Sequence, residues 1–435
     1  MKTVNGFSKL SKNDKLTWLS QNMLNSAEIE ELKNFWHPNA ELQKTIDEFS
    51  ENTLTNFIMP FGLAPNFKIN DKILHVPMVI EESSVVAAAS KSAKFWLNRG
   101  GFKTKIIDTT KVGQVHFKFY GDKEKLFNIF NLKKATLLEA TQDLTANMEK
   151  RGGGIKDMVL VDKTQSLANY FVIDMTFNTC DAMGANFINS ILEKVAHDFV
   201  EIACSENYFH VSEFEIIMSI LSNYTPNCRV KAYVECPIEE LGQIAGLSPQ
   251  QYAEKFHAAV QIAKVNVERA VTHNKGIMNG IDAVILATGN DFRAIEACAH
   301  AYAARDGQYR SLSSCHIDNG KFKFELELPL ALGTIGGLTS LHPLSKLTLK
   351  VLNNPSAADL MGITACVGLA QNFGALNSLV TTGIQKGHMK MHLLNILNQL
   401  NASDAEIKAA KVHFEKEIVS FKNVRDFLDT NRSLH

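Results

Sequence analysis

Five short stretches of this 435-residue chain, forming four constellations, carry side chains able to do chemistry. His273-Asn274-Lys275-Gly276-Ile277-Met278-Asn279-Gly280 and Ala287-Thr288-Gly289-Asn290-Asp291 flank an apolar run. A lysine held by an aspartate stays cationic and can stabilise a developing oxyanion. A structural salt bridge near loops explains the same pair equally well. Glu81-Glu82-Ser83-Ser84 lies between an extended run and an Ala-rich one. A carboxyl there can serve as a general acid or base if burial raises its pKa; the plainer reading, favoured by these residues alone, is a cap that suits the helix dipole. Gly387-His388-Met389-Lys390-Met391-His392 offers imidazoles at helical spacing. Without an HExxH context or a third ligand they make a poor zinc site. A lone His acting as proton donor suits its near-neutral pKa better, with an exposed helix start as the plain alternative. Asp181-Ala182-Met183-Gly184-Ala185-Asn186 leads into an amphipathic segment. Free N–H groups at such a helix start can meet a phosphate, though the motif alone reads as a capped core helix.

Those residues need elements to hold them. Residues 1–50 read as polar helices, Ile73–Ile80 as extended, and Ser84–Leu97 as an Ala-rich helix suited to close packing. Val115-His116-Phe117-Lys118-Phe119 alternates as a half-buried strand does. A charged helical stretch over 122–149 ends at Arg151-Gly152-Gly153-Gly154. Strands follow at Met158–Val161 and Tyr170–Phe177, then a helix at Asn186–Val200. This is the pattern of a small α+β domain inserted into a larger one. Beyond about 225, Tyr252–Ala270 reads as one helix, Ile281–Ala287 as a short apolar strand, and Phe322–Leu328 as a strand with one wet face. The tail from about 376 is helical, with a capping box at Ser403-Asp404-Ala405-Glu406. No GxGxxG follows a strand, so a Rossmann domain is not indicated.

Composition excludes several classes. The chain has 45 Lys+Arg against 46 Asp+Glu, so no long-range field draws it to nucleic acid or an anionic membrane. At this length two or three domains are expected. Seven cysteines, an odd number with no CxxC pair, fit a reducing cytosol better than a disulfide framework. The N-terminus lacks a signal-peptide h-region, and no apolar run is read as long enough to span a bilayer. A cytoplasmic protein is expected.

Together the stretches say more than any one of them. In order come Gly6-Phe7-Ser8-Lys9-Leu10, Glu51-Asn52, Pro60-Phe61-Gly62-Leu63-Ala64, and Val76-Pro77-Met78 ahead of Glu81-Glu82. Asp181–Asn186, His273–Gly280, Ala287–Asp291 and Ala299-His300-Ala301-Tyr302-Ala303-Ala304-Arg305 continue the series. Gly333–Gly337 with His342-Pro343, Gly368–Asn372 and Gly387-His388-Met389 complete it. This ordered set resembles the 3-hydroxy-3-methylglutaryl-CoA reductase family, in its bacterial class II branch, over nearly the whole chain.

The resemblance implies an α+β fold with a C-terminal helical flap. A large mixed helix/strand substrate and dimerisation domain would take 1–108 and 225–375. An inserted, ferredoxin-like dinucleotide domain would take 109–224, and the flap with its histidine 376–435. The implied reaction is two hydride transfers from NADH or NADPH that convert the CoA thioester to mevalonate and free coenzyme A, with no metal. Lys275 would stabilise the hemithioacetal oxyanion, Glu82 would supply a proton, Asp291 would hydrogen-bond and tune both, and His388 would protonate the departing thiolate. Ser84, Arg269 and Asn279 match substrate-holding positions, an arginine suiting the free carboxylate. Asp181, Met183, Gly184 and Asn186 match the dinucleotide motif. The resemblance also implies an obligate homodimer, or a higher oligomer, with shared active sites. Glu82 would come from one chain, and Lys275 and Asp291 from the other. Its partners would be small molecules, with no nucleic acid and no membrane.

Ser83 stands where the family often has Pro, Phe292 where it has Trp, and Leu394 near where the eukaryotic branch carries a phosphorylatable Ser. The alternatives are a reductase of another acyl-CoA, against which Arg269 argues, and a non-catalytic CoA-binding homologue. Either nicotinamide cofactor fits; Asp143 and Asp157 fall in the region that would choose between them.

Overall fold

The computed structural model describes residues 3–383, 393–414 and 417–433. Three helices open the chain, α1 (Lys12–Asn22), α2 (Ser26–Asn34) and α3 (Ala40–Asp47). Ser11, Asn25 and Asn39 cap them by accepting from first-turn N–H groups, which would otherwise lack partners. β1 (Phe61–Ile69) and β2 (Lys72–Val79) form an antiparallel hairpin. Its turn residues Asn70 and Asp71 both have positive φ, 45° and 66°, as a type I′ turn requires. α4 (Val85–Leu97) then lays Val85, Ala89, Ala93 and Trp96 into the core. β3 (Lys103–Asp108) ends this part.

A second unit follows. It runs β4 (Lys111–Phe119), α5 (Lys123–Ala140), α6 (Gln142–Glu149), β5 (Gly154–Asp162), β6 (Tyr170–Asn178), α7 (Ala185–Ser205) and β7 (Phe214–Ser222). The sheet order β5-β6-β4-β7, antiparallel throughout, is the ferredoxin-like βαββαβ arrangement expected from the sequence. Alternation decides which face is dry: Val115, Phe117 and Phe119 of β4 are buried. α7 covers them with Ile188, Ile191, Leu192, Val195 and Phe199.

The larger unit resumes with β8 (Arg229–Pro237), α8 (Pro249–Val265), α9 (Val267–Ala287) and α10 (Phe292–Ala303). β9 (Ser313–Asp318), β10 (Lys321–Pro329), α11 (Gly337–Leu341), α12 (Pro343–Val351) and α13 (Ala357–Val380) complete it. Its sheet is β3-β8-β10-β9, so β3, before the second unit, pairs with β8, directly after it. One apolar core joins residues 64–102 to residues 228–380, and a separate one lies within residues 115–209. In the tail, 393–399, Asp404–His413 and Phe421–Ser433 are helical and share a small apolar cluster. The capping box at Ser403 and Glu406 is present.

Three sequence expectations need correction. Ile281–Ala287 is not a strand but the last two turns of α9. A helix buried on nearly every side is as uniformly apolar as a buried strand, and periodicity does not separate them. Tyr252–Ala270 is not one helix: Asn266, with φ −107° and ψ 119°, ends α8 and caps α9 by accepting from Arg269 N. Finally, α13 is long and apolar enough to cross a membrane, contrary to the sequence reading, but most of it is buried inside the protein.

α13 and α9 cross closely because glycines face each other's helix. A Cβ on Gly280 would lie 2.8 Å from Val367 O, and one on Gly368 would lie 2.8 Å from Ile281 Cγ1. Gly280→Ala should therefore lower folding stability by about 1–2 kcal/mol, overpacking outweighing the helix-propensity gain. Denaturant titration measures this; an unchanged midpoint would show that the helices have room to part.

Candidate active site

α9 presents its chemistry on one face. Lys275 and Asn279, one turn apart, point to the same side of the helix. Lys275 Nζ donates to Glu82 Oε2 at 2.8 Å, and Asn279 Nδ2 donates to the same oxygen at 3.4 Å. Glu82 sits in the bend between β2 and α4. The lysine and glutamate side chains remain 61% and 39% exposed. So open an ion pair adds under about 1 kcal/mol of stability; its value is a cation and a carboxylate held side by side in solvent reach. The two belong to one chain, which corrects the expectation that Glu82 and Lys275 come from different subunits. Ser84 follows at φ 78°, left-handed, and makes no side-chain cap for α4. A non-glycine residue there carries about 1–2 kcal/mol of strain.

The other face of α9 is anchored by buried polar groups. Ser313 Oγ donates to Asn372 Oδ1 at 2.8 Å, so His273 donates to that same hydroxyl from Nε2, at 2.6 Å. Asn274 donates to Arg310 O and accepts from Leu312 N. Burial, with Arg269 adding to it, pushes His273 down to about 3, so this imidazole stays neutral and structural. Arg269, one turn earlier, is half-buried, and burial lowers its pKa. No carboxylate pairs with its guanidinium among the described residues.

The remaining pieces gather at the far end of α9. From Lys275 to Ala287 the helix rises roughly 18 Å, and Asp291 lies beyond it. Asp291 caps α10, accepting from Arg293 N and Ala294 N, while Arg293 Nε and Nη2 donate to its two oxygens at 3.1 and 3.2 Å. Burial pushes this carboxyl up, but the guanidinium and the N–H groups prevail and hold it below the usual range. Within the chain Asp291 touches neither Lys275 nor Glu82, against the expectation that it hydrogen-bonds to both.

Asp291 instead lines a cleft of about 510 Å³ with Met183, Gly184, Asn186 and the loop from Gly333. Asn290 binds Gly333 at both its N–H and its C=O. A Cβ on Gly333 would lie 2.5 Å from Met183 N, so this loop and the Asp181–Asn186 turn touch backbone to backbone. Gly184, at φ +90°, starts α7 with no side-chain cap and no acidic residue in the first turn. Uncapped N–H groups facing a cleft suit a dinucleotide's phosphates. Of the four residues expected to bind cofactor, Asp181 is the exception: its carboxylate accepts from Ala357 N at 2.7 Å and its carbonyl from Thr334 N. It ties the turn to α13 instead. His388 lies outside the described residues, as does His392.

Sequence reasoning missed Lys111. This lysine is 5% exposed. Its ammonium donates to Thr179 Oγ1, Ala182 O and Met183 O at 2.6, 2.7 and 3.0 Å. The only sequence signal was a lysine in the same alternating register as the inward-facing Val115, Phe117 and Phe119.

The family model for hydroxymethylglutaryl-coenzyme A reductase matches residues 12–393. The chain belongs to the hydroxymethylglutaryl-CoA reductase family. It is 35% identical to 3-hydroxy-3-methylglutaryl-coenzyme A reductase of Archaeoglobus fulgidus, over 93% of this chain and 88% of that one. A probable reductase of the same name from Borreliella burgdorferi is also 35% identical, over 97% and 95%. Among solved structures, the Streptococcus pneumoniae reductase superposes with a TM-score of 0.72 at 34% identity, covering 99% of this chain and all of that one. A class II reductase structure from the same organism, bound to NADPH in open conformations, gives a TM-score of 0.72 at 36% identity, covering 87% of this chain and 100% of that one. The reductase fold thus accounts for the mixed helix/strand architecture; Lys275, Asn279 and Glu82 cluster at the middle of α9, and Asp291 lies beyond its C-terminal end.

Ser84→Gly should raise stability by about 1 kcal/mol by relieving the left-handed strain. Chemical denaturation of the variant checks this, and a loss of stability would mean that the Ser84 side chain contributes contacts exceeding the strain.

Proposed function

We propose that this enzyme reduces hydroxymethylglutaryl-CoA to mevalonate and coenzyme A in mevalonate metabolism, with NAD(P)H. The observation that carries the reading is the Lys275–Glu82–Asn279 cluster on one face of α9. A fixed cation beside a thioester carbonyl stabilises the oxyanion of the hemithioacetal. A glutamate 2.8 Å away, in its protonated form, can deliver the proton as the aldehyde forms and is reduced, leaving a carboxylate beside Lys275. Arg269, half-buried and without an acid partner among the described residues, suits the substrate's distal carboxylate, with Ser84 and Asn279 holding its oxygens. His388 protonates the thiolate of coenzyme A as it leaves.

Residues 109–224 serve as the dinucleotide domain, residues 1–108 and 225–375 as the substrate domain, and residues 376–435 as the flap. Met183, Gly184 and Asn186 hold the cofactor's phosphates at the start of α7, where the wall of the cleft is closely packed: a Cβ on Gly184 would strike Thr179, and one on Gly333 the Met183 backbone. When bound, the nicotinamide supplies the hydride. The pneumococcal relative was solved with NADPH, which makes NADPH the first cofactor to test.

The length of α9 supports a homodimer. Ala287, ahead of Asp291, lies roughly 18 Å along α9 from Lys275, a separation that Asp291 does not bridge to a substrate held at Lys275 of the same chain. The reacting centre is therefore completed between copies, with Glu82, Lys275 and Asn279 from one and Asp291 with the cofactor cleft from its partner. All seven cysteines are free thiols, which fits a cytosolic setting.

Absorbance at 340 nm, followed with hydroxymethylglutaryl-CoA and each cofactor in turn, tests the reaction. Substrate-dependent loss is expected; none with either cofactor would point to another acyl group. Lys275→Ala should cut kcat by a factor of about 10²–10³ with melting temperature unchanged, since the side chain is mostly exposed. His388→Gln should impair thioester reduction while sparing free mevaldehyde; equal losses on both substrates would remove His388 from thiolate protonation.

A further inference from the structure

Lys111 is a buried lysine that the mechanism above does not use, and its ammonium sits directly beneath the turn that lines the Asp291 cleft. We propose that Lys111 is a positioning residue for the cofactor: its ammonium pulls two carbonyls of the Thr179–Gly184 turn inward, which aims the amide N–H groups of that turn at the dinucleotide. This rests on the reading of the Asp291 cleft as the cofactor site.

The geometry runs as follows. All three N–H bonds of the ammonium are taken, by Thr179 Oγ1, Ala182 O and Met183 O. Thr179 Oγ1 also donates to Ala182 O at 2.7 Å, closing a ring around the ammonium. There are no cis peptides, and in a trans peptide C=O and N–H point in opposite directions. With the Ala182 and Met183 carbonyls turned to Lys111, the N–H groups of Met183 and Gly184 face away from it. Met183 and Gly184 line the cleft. Gly184 packs tightly against Thr179, where a Cβ would lie 2.4 Å from Thr179 Cγ2. Among the described residues the lysine makes no salt bridge; Asp181, whose carboxylate accepts from Ala357 N, acts on it only through space. Its charge lies beneath the turn and adds to the positive end of α7, a 21-residue helix.

A buried ammonium held only by neutral acceptors loses its proton readily, and burial brings Lys111 down to about 8. Below that value the clamp is charged and complete. As pH rises through it, the charge and one donor are lost, so cofactor affinity falls. The titratable groups around the lysine are Cys180 and Asp181 on the turn and Cys228 at the start of β8, with Cys298 of α10 beside Cys228. Burial pushes Cys228 up to about 11 and raises Cys298 as well, so neither titrates in this window. Cys180, whose Sγ donates to Arg151 O, is the group to separate experimentally.

The test is steady-state kinetics and fluorescence titration with NADPH on the full-length native enzyme, Lys111→Met, Cys180→Ala and Asn186→Ala, from neutral to alkaline pH. In the native enzyme the KM for NADPH should rise as pH passes about 8, and Cys180→Ala should keep that step. Lys111→Met should raise the KM for NADPH about ten- to a hundredfold, the loss expected of charge-assisted hydrogen bonds, and should abolish the step. Its kcat at saturating cofactor and its KM for hydroxymethylglutaryl-CoA should stay within about twofold. Native-like NADPH affinity in Lys111→Met overturns the proposal, and so does an equal loss in every kinetic constant, which is the mark of a merely structural lysine. If Lys111→Met does not fold, the pH step in native enzyme and Cys180→Ala decides, and its absence overturns the proposal. Should Asn186→Ala also bind NADPH normally, the cleft reading itself has failed.

Discussion

The anchoring of α9 is the constraint on which the rest depends. One face of this helix must stay buried while the other carries Lys275 and Asn279 into solvent. The chain His273–Ser313–Asn372, with Asn274 on the 310–312 loop, fixes its rotation through hydrogen bonds that have no competing water. Gly280 and Gly368 fix its distance from α13. Rotating α9 by one residue would bury the lysine and expose the histidine, a change resisted by every one of these contacts.

Given that helix, the division of labour follows from its length. The N-terminal half meets Glu82 and displays a cation beside a carboxylate. The C-terminal end runs into the Gly289 turn and Asp291, which together wall the cleft lined by Met183 and Gly184. A rigid rod between the clusters keeps them apart within one chain. Polar residues fix the wall of the cleft: Asp181 ties the Asp181–Asn186 turn to α13, and Lys111 holds it from below.

The departures noted in the sequence fall where the structure gives them room. Ser83 lies in the bend beside Glu82, in front of the left-handed Ser84. Phe292 opens α10 next to Asp291 and is partly exposed, so a smaller ring in place of Trp leaves the Asp291–Arg293 contacts undisturbed.

Much of the architecture was legible from local pattern. Alternation at Val115–Phe119 and Phe322–Leu328, the Gly-rich break before β5 and the capping box at Ser403 each state a local energetic preference that the tertiary structure had no reason to override. Ile281–Ala287 was misread because its neighbours, not its own periodicity, make it a buried helix. Among functional residues, Lys275, Glu82 and Asp291 were legible as types in ordered motifs, and those motifs determined the family. Only the tertiary structure decided that Glu82 meets Lys275 within one chain, that Asp291 stands beyond the end of α9, and that Asp181 and an unremarked Lys111 shape the turn ahead of α7. The physical reason is that a motif records which groups are present, whereas distances between groups far apart in sequence are set by how α9, α13 and the two sheets pack.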